Sequence, residues 1–398
     1  MATRSNAAAR VTREEMVERA RALLPGLKSR AAAVEANRRM APETDRELTE
    51  SGLYKVLTPK RFGGTEMDLG LLIDVAAELG RGCGSTAWVW GQLVGHDWVV
   101  GMMHPKAQDD IWGADPAALA SSSFQNPGAS VKRVKGGYVL DGSWGFASGC
   151  DYAEWNLFLC IVPREGGGPA THHFALAPRA EYEIEDDWFP VGLAGTGSKK
   201  LVVRELFIPE HRVVNMEDLR GGPSPGSEIN PGPLYKVPPM GAGSKLFSGT
   251  TIGTALGALD AVEENFRDRV SVGGAKLSQQ QSVHIRLAHA EGEIDAARAL
   301  LERDCARAMD WGAKGVRPPL EDRVRWRRND AFAIRMCVDS VDRLFPLMGG
   351  RGLAAAGAFQ RAWRDCHATG QQIIVNWDLM LTHFGRLRMG EPVEDPRI

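Results

Sequence analysis

The chain has 398 residues, 43% hydrophobic and 25% charged, with 48 basic and 50 acidic side chains and a formal net charge of −2. That composition suits an ordinary soluble globular fold large enough for two or three domains. The balanced charge leaves no global field to recruit nucleic acid or an anionic membrane, so neither is expected as a partner.

The opening residues, MATRSNAAARVTREEM, lack the apolar core of a secretion signal. The sequence has no run of about 18 apolar residues, the length that could cross a bilayer, and a cytoplasmic location is expected. Thr12 followed by Glu15 is a capping box, opening a helix that runs toward Met40. Pro42 opens a short helix that Gly52 ends. A third helix fits residues 66–80, where Leu72, Val75, Ala76 and Leu79 share one face, and a fourth over 85–103 is apolar nearly all round and therefore buried.

Near residue 117 the pattern changes. SVKRVKGGYVLDGSW alternates about Gly136 and Gly137, the signal of a hairpin. Strands are expected over 155–162, 172–178 and 199–209, separated by REGGGP and GLAGTG. Residues 221–233 are the richest in turn formers and read as a flap or linker. From about 241 the chain is helical: Val283, Leu287, Ala290, Ile294, Ala297 and Leu301 repeat at steps of four and three, and two further helices, roughly 321–347 and 357–388, flank LMGGRGL. The expected fold is α+β, with an N-terminal helical domain (1–116), a central β domain (117–235, its flap or linker at 221–235) and a C-terminal helical bundle (236–398).

The six cysteines include no CxxC pair, so reduced, mostly buried thiols are expected. The nine histidines form no HExxH cluster, and adjacent His172 and His173 point to opposite faces of a strand, so no metal site is expected. GAGSK at 241–245 lacks the preceding strand of a phosphate loop, which argues against tight nicotinamide binding.

Four segments in this order resemble the acyl-CoA dehydrogenase family over essentially the whole chain: residues 51–88, VGLAGTGSKKLVVRELFIPEHRVV, LSQQQSVHIRLAHAEGEIDAARAL and LMGGRGL…RAWRD. A dehydrogenase of this fold needs a carboxylate base beside an acyl thioester. Where the resemblance would place it, the chain has Gln371 and Gln372, leaving Glu263 and Glu264 as outside candidates.

The stretch DGSWGFASGCD is similar instead to the two-component flavin-dependent monooxygenase branch, the oxygenase components for 4-hydroxyphenylacetate, hydroxylated steroid rings and indoles. That resemblance implies reduced flavin (FADH2 or FMNH2) delivered by a separate NAD(P)H:flavin reductase, addition of O2 at flavin C4a, hydroxylation of a small aromatic substrate, and a homotetramer. It puts Ser148 beside flavin N5, with Phe146 next to the cofactor. Arg267 or Arg269 would reach a neighbouring subunit's flavin phosphate, and Gly349 and Gly350 would allow close backbone approach. His96 and Ser122 would orient the substrate, and Trp88 and Trp144 would wall its pocket. Many members carry a histidine after RD; here Gln372 and His383 are the catalytic candidates near that place, with His367 also close in sequence. Two other readings stay open: an acyl-CoA dehydrogenase-like oxidoreductase with a displaced base, and a catalytically inactive binding protein on the same fold.

Overall fold

The computed structural model describes residues 11–164, 168–270, 273–395 and 397–398. In α1 (Arg13–Asn37) the Thr12 hydroxyl accepts from the Glu15 amide while the Glu15 carboxylate accepts from the Thr12 amide, the reciprocal cap that the spacing announces. α2 (Pro42–Glu50) starts on its proline, and α3 (Gly70–Gly82) buries Leu72, Val75, Ala76 and Leu79. After the single residue Cys83 comes α4 (Gly84–Gly101), buried at every position, and then α5 (Pro105–Trp112).

Among the described residues the middle block has eight strands, β1 (Ala120–Ser123), β2 (Ser130–Val134), β3 (Gly137–Ala147), β4 (Trp155–Val162), β5 (Thr171–Pro178), β6 (Glu183–Glu185), β7 (Lys199–Pro209) and β8 (Val213–Asn215). They form two four-stranded sheets, in the orders β1-β4-β5-β8 and β2-β3-β7-β6. The hairpin turns on Lys135 and Gly136, with Gly136 at φ 83°; Gly137 already belongs to β3, opposite Val134. Trp144, Phe158, Ala175 and Leu201 fill the space between the sheets, while Leu157, Leu159, Phe174 and Leu176 join the core shared with the helices. Residues 221–233 are tied to the end of α4: the Gly226 amide donates to Met102 O, and Asn230 Nδ2 donates to Gly101 O (2.7 Å) and Gln108 Oε1 (2.9 Å).

The third block comprises α6 (Pro239–Ala242), α7 (Lys245–Phe266), α8 (Gln281–Lys314), α9 (Leu320–Met348), α10 (Ala358–Thr369) and α11 (Trp377–Arg388). The stripe on α8 is buried as expected, save that Leu287 is only partly covered. The single helix expected over 357–388 is two. Gly370 closes α10, the Gln372 side chain accepts from the Ile374 amide, and Asn376 Oδ1 caps the restart by accepting from the Leu379 amide at 3.1 Å.

α7 lies directly on α3. A Cβ built on Gly253 would stand 2.3 Å from Ala77 O, and one on Gly257 would stand 2.7 Å from Arg81 O. Backbone meets backbone there, with no side chain between. Gly253→Ala must therefore push the helices apart, and we expect it to lower unfolding stability by about 1–3 kcal/mol despite alanine's better helix propensity. Urea denaturation checks this; unchanged or raised stability would contradict the close approach.

Candidate active site

A cavity of ≈ 50 Å³ lies where α4 faces β4, β5 and the start of the helical bundle. Trp98, Val99, Leu157, Phe174, Leu246 and Phe247 make it apolar, and its polar lining side chains are Gln92, His96, Ser244 and Arg327. No Asp or Glu is among the residues that line it. Glu263 is exposed on α7, and Glu264 pairs with Lys28 (3.3 Å) on the surface. The cavity thus offers no carboxylate to take a proton beside an acyl thioester.

His96 lines the cavity and meets Ser122, which stands behind it rather than in the lining. The imidazole Nδ1 is 3.1 Å from Ala120 O, and Nε2 is 2.7 Å from Ser122 Oγ. A carbonyl only accepts, so Nδ1 carries the proton, Nε2 is the acceptor, and the Ser122 hydroxyl donates to it. Burial pulls the His96 pKa down to about 4, so the ring is neutral at physiological pH. β1, a strand of small polar residues with no alternation to mark it, supplies both Ala120 and Ser122.

A second chain of hydrogen bonds runs through Ser148. Trp88 Nε1 donates to Ser148 Oγ (3.0 Å), Ser148 Oγ is 2.7 Å from Ser198 Oγ, and Ser198 Oγ is 2.7 Å from Thr196 Oγ1. Thr196 Oγ1 donates to Leu193 O at 2.8 Å. Each hydroxyl has one proton, so this terminal carbonyl fixes the direction of the whole chain: Thr196 accepts from Ser198, and Ser198 accepts from Ser148. Ser148 has spent its proton and keeps a lone pair.

The backbone around Ser148 is unusual. Phe146 takes φ +62°, a conformation that bulky residues rarely hold, where the pairing of β3 with β7 slips between Trp144 and Ala147. It leaves the Phe146 ring 56% exposed, edge-on to Trp188 at 5.8 Å. An exposed ring beside a buried acceptor suits a flat aromatic group with an N–H at its edge, which is what a reduced flavin presents. The Trp88 indole joins the two places, since its ring packs on Phe247 at 4.8 Å and Phe247 lines the cavity.

Other expected site residues fall elsewhere. Trp144 does not wall the cavity: it is fully buried between the sheets, donating to Leu159 O at 2.8 Å and packing edge-on to Phe158. Trp98, on α4, takes a place in the wall instead. Gln372 holds its local turn, and Ile374, two residues on, reaches the cavity. His383 is likewise away from it, because the break before α11 turns the ring to the C-terminal segment, where Nε2 is 3.1 Å from Asp395 Oδ2. His367 pairs with Asp342 (2.9 Å). Arg267 is exposed at the end of α7, and Arg269 lies over the Phe266 ring at 5.5 Å. Gly349 has φ +57°, and neither it nor Gly350 has an atom within 4 Å of a built Cβ. Sequence reading missed Ser198, Thr196 and Arg327; the first two sit in GLAGTGS, which reads as the connection before a strand.

The acyl-CoA dehydrogenase N-terminal domain model matches residues 11–104, and the acyl-CoA dehydrogenase C-terminal domain model matches 245–377. The chain is 34% identical over 373 residues to the oxygenase component of an FADH2-dependent resorcinol hydroxylase of Rhizobium sp. (strain MTP-10005), covering 91% of each. It is 35% identical over 378 residues to HsaA, the oxygenase subunit of a flavin-dependent monooxygenase of Mycobacterium tuberculosis, covering 94% of this chain and 95% of that one. The crystal structure of 3-HSA hydroxylase from Rhodococcus sp. RHA1 superposes with a TM-score of 0.91 at 34% identity, over 96% of this chain and 99% of that one.

The buried neutral imidazole has a consequence for stability. With its folded pKa near 4 and its unfolded value near 6.5, His96 binds fewer protons in the native state between those limits, so its contribution is present above pH 6.5 and is lost as pH falls toward 4. His96→Asn removes that loss. The gap in urea midpoint between wild type and the variant is therefore expected to narrow from pH 7.5 to pH 5; a constant gap would mean that the ring is not held neutral.

Proposed function

Because the chain belongs to the acyl-CoA dehydrogenase family and, within it, to the flavin-dependent two-component monooxygenases, we propose that it is an oxygenase component that hydroxylates an aromatic substrate with reduced flavin and O2. The observation that carries this reading is the Ser122–His96 pair at the edge of an apolar cavity that has no carboxylate. Such a site holds a phenol and has no means of acting on an acyl thioester.

A phenolic hydroxyl at the His96 end donates to Ser122 Oγ, whose own proton is already directed at His96 Nε2. Movement of both protons toward the imidazole leaves the ring oxygen richer in electrons and the ring more nucleophilic. Ala120 O holds Nδ1–H throughout, so the imidazole keeps its orientation. Bound reduced flavin supplies two electrons which, with O2, deliver one oxygen atom to the aromatic ring and the other to water. Ser148 holds the flavin N5–H through its remaining lone pair, Phe146 lies against the ring system, and the apolar walls exclude water. Trp88 and Ser122 contact the substrate side.

The remaining roles follow the family reading. Arg267 or Arg269 reaches the flavin phosphate of a neighbouring subunit in a homotetramer, where a guanidinium holds two phosphate oxygens at once, and Gly349 and Gly350 face the same cofactor. A separate flavin reductase supplies the electrons. The domains divide at about 116 and 235, and the enzyme works in the cytoplasm; among the described residues no helix is long and apolar enough to cross a membrane.

The test supplies purified chain with FAD or FMN, a flavin reductase and NADH, and offers resorcinol, 4-hydroxyphenylacetate and indole under 18O2. Incorporation of one labelled oxygen into at least one of them is expected; none in any would overturn the reading. Ser148→Ala removes one hydrogen bond, and we expect it to weaken reduced-flavin binding about 3- to 10-fold and to raise the H2O2 released per NADH. Ser198→Ala frees the Ser148 proton, so the ratio of oxidised to reduced flavin Kd should fall toward one. A ratio unmoved by Ser198→Ala would contradict the assigned hydrogen-bond direction.

A further inference from the structure

One wall of the cavity carries a charge that the reaction as described does not use. Arg327 on α9 is 1% exposed and lines the cavity. Its Nη2 donates to Arg397 O at 3.1 Å, while Nε and Nη1 have no hydrogen-bond partner among the described residues. The nearest carboxylates are engaged elsewhere. Asp330 accepts from Lys245 Nζ (2.8 Å), Ser248 Oγ (2.9 Å) and the Ser244 hydroxyl. Asp395 accepts from the Arg397 amide (2.9 Å) and guanidinium (2.7 and 2.9 Å) and sits 3.1 Å from His383 Nε2.

A buried guanidinium whose five N–H groups meet a single carbonyl is costly unless an acceptor arrives from outside the chain. Burial lowers its pKa to about 10, which leaves it cationic at neutral pH. Deleting the charge by mutation would remove that cost, yet it sits in the wall of a pocket that His96, hydrogen-bonded to Ser122, also lines without charge. The two groups ask for different chemistry: a neutral hydroxyl at one and an anion at the other.

We propose that Arg327 is a specificity-determining residue that binds an anionic substituent of the substrate, so that the natural substrate class is a phenol bearing a carboxylate. This rests on the phenol-hydroxylating reading above and adds the second group that the substrate must carry. A carboxylate reaching Nη1 or Nε makes a charge-assisted hydrogen bond in a dry pocket, where such bonds are strongest. Arg327 then fixes the far end of the ring while Ser122 fixes the hydroxyl, so the ring has one orientation. A neutral phenol still enters but is held at one end only.

Binding to the flavin-free protein tests this without turnover. Titrations at pH 7.5, followed by calorimetry, would compare 4-hydroxybenzoate and 4-hydroxyphenylacetate with their primary amides, which match them in shape and lack the charge. Wild type is expected to bind at least one acid about 10- to 100-fold more tightly than its amide. Arg327→Met should bring that acid to the level of the amide, and Arg327→Lys should keep part of the preference. Equal affinity of acid and amide in wild type, or no measurable binding of either acid, overturns the proposal whether or not the variants fold. Hydroxylation of resorcinol with reduced flavin separates the two levels: product without an acid preference sinks the role of Arg327 alone, whereas no product with any phenol sinks the functional reading beneath it.

Discussion

A backbone carbonyl accepts hydrogen bonds and never donates, and two such carbonyls set the chemistry of this site. Ala120 O fixes the proton of His96 on Nδ1, which makes Nε2 the acceptor and obliges Ser122 to donate. Leu193 O does the same at the end of the chain through Thr196 and Ser198, which leaves Ser148 with a lone pair and no proton to give. Neither group has to be charged to have a direction. The fold therefore presents two polarised hydroxyls, Ser122 and Ser148, in surroundings where a charge would be expensive.

How much of this the sequence discloses depends on how local each cause is. The Thr12–Glu15 cap, the all-round apolar α4, the strands expected over 155–162, 172–178 and 199–209 and the α8 stripe are written in residues a few positions apart, and they form as the pattern implies. β1 is different: Ala-Ser-Ser-Ser has no strand preference of its own and exists because β4 lies parallel to it. The break between α10 and α11 depends on caps from Gln372 and Asn376 that look like ordinary helix residues until the turn forms. Ser148, His96, Trp88 and Ser122 were named from a family pattern, but the hydrogen bonds of Ser148 to Ser198 and of His96 to Ala120 were not legible, because those groups come from segments 50 and 24 residues away. Trp144 misled because a tryptophan beside a site and one in a core have the same local sequence. Arg327 was hidden in the charged run EDRVRWRRND, which reads as a solvated face, although it keeps step with buried Ala331, Ile334, Val338 and Val341.

The bundle holds buried charge elsewhere too, and one such place makes an informative contrast with Arg327. Lys245 is fully buried at the head of α7, with Asp330 at 2.8 Å and Asp304 at 3.7 Å, and Asn329 Nδ2 donates to Asp304 at 2.8 Å. There every charge has its counter-charge and hydrogen bonds, the condition under which an interior ion pair persists. Such a network fixes how α7, α8 and α9 register against one another. The cavity rim borrows from it, since Ser244 donates to Asp330 and also lines the cavity.

The bare contact of α7 on α3 has a mechanical meaning. Two main chains in touch have no layer of rotatable side chains to absorb displacement, and α3 passes into α4 through one residue, Cys83. The helix bearing His96 and Trp88 is thus bolted to the bundle bearing Phe247 through a joint with almost no compliance. Any breathing needed to admit a ligand must come from the other walls, such as the four-residue α6, whose Met240 lines the cavity.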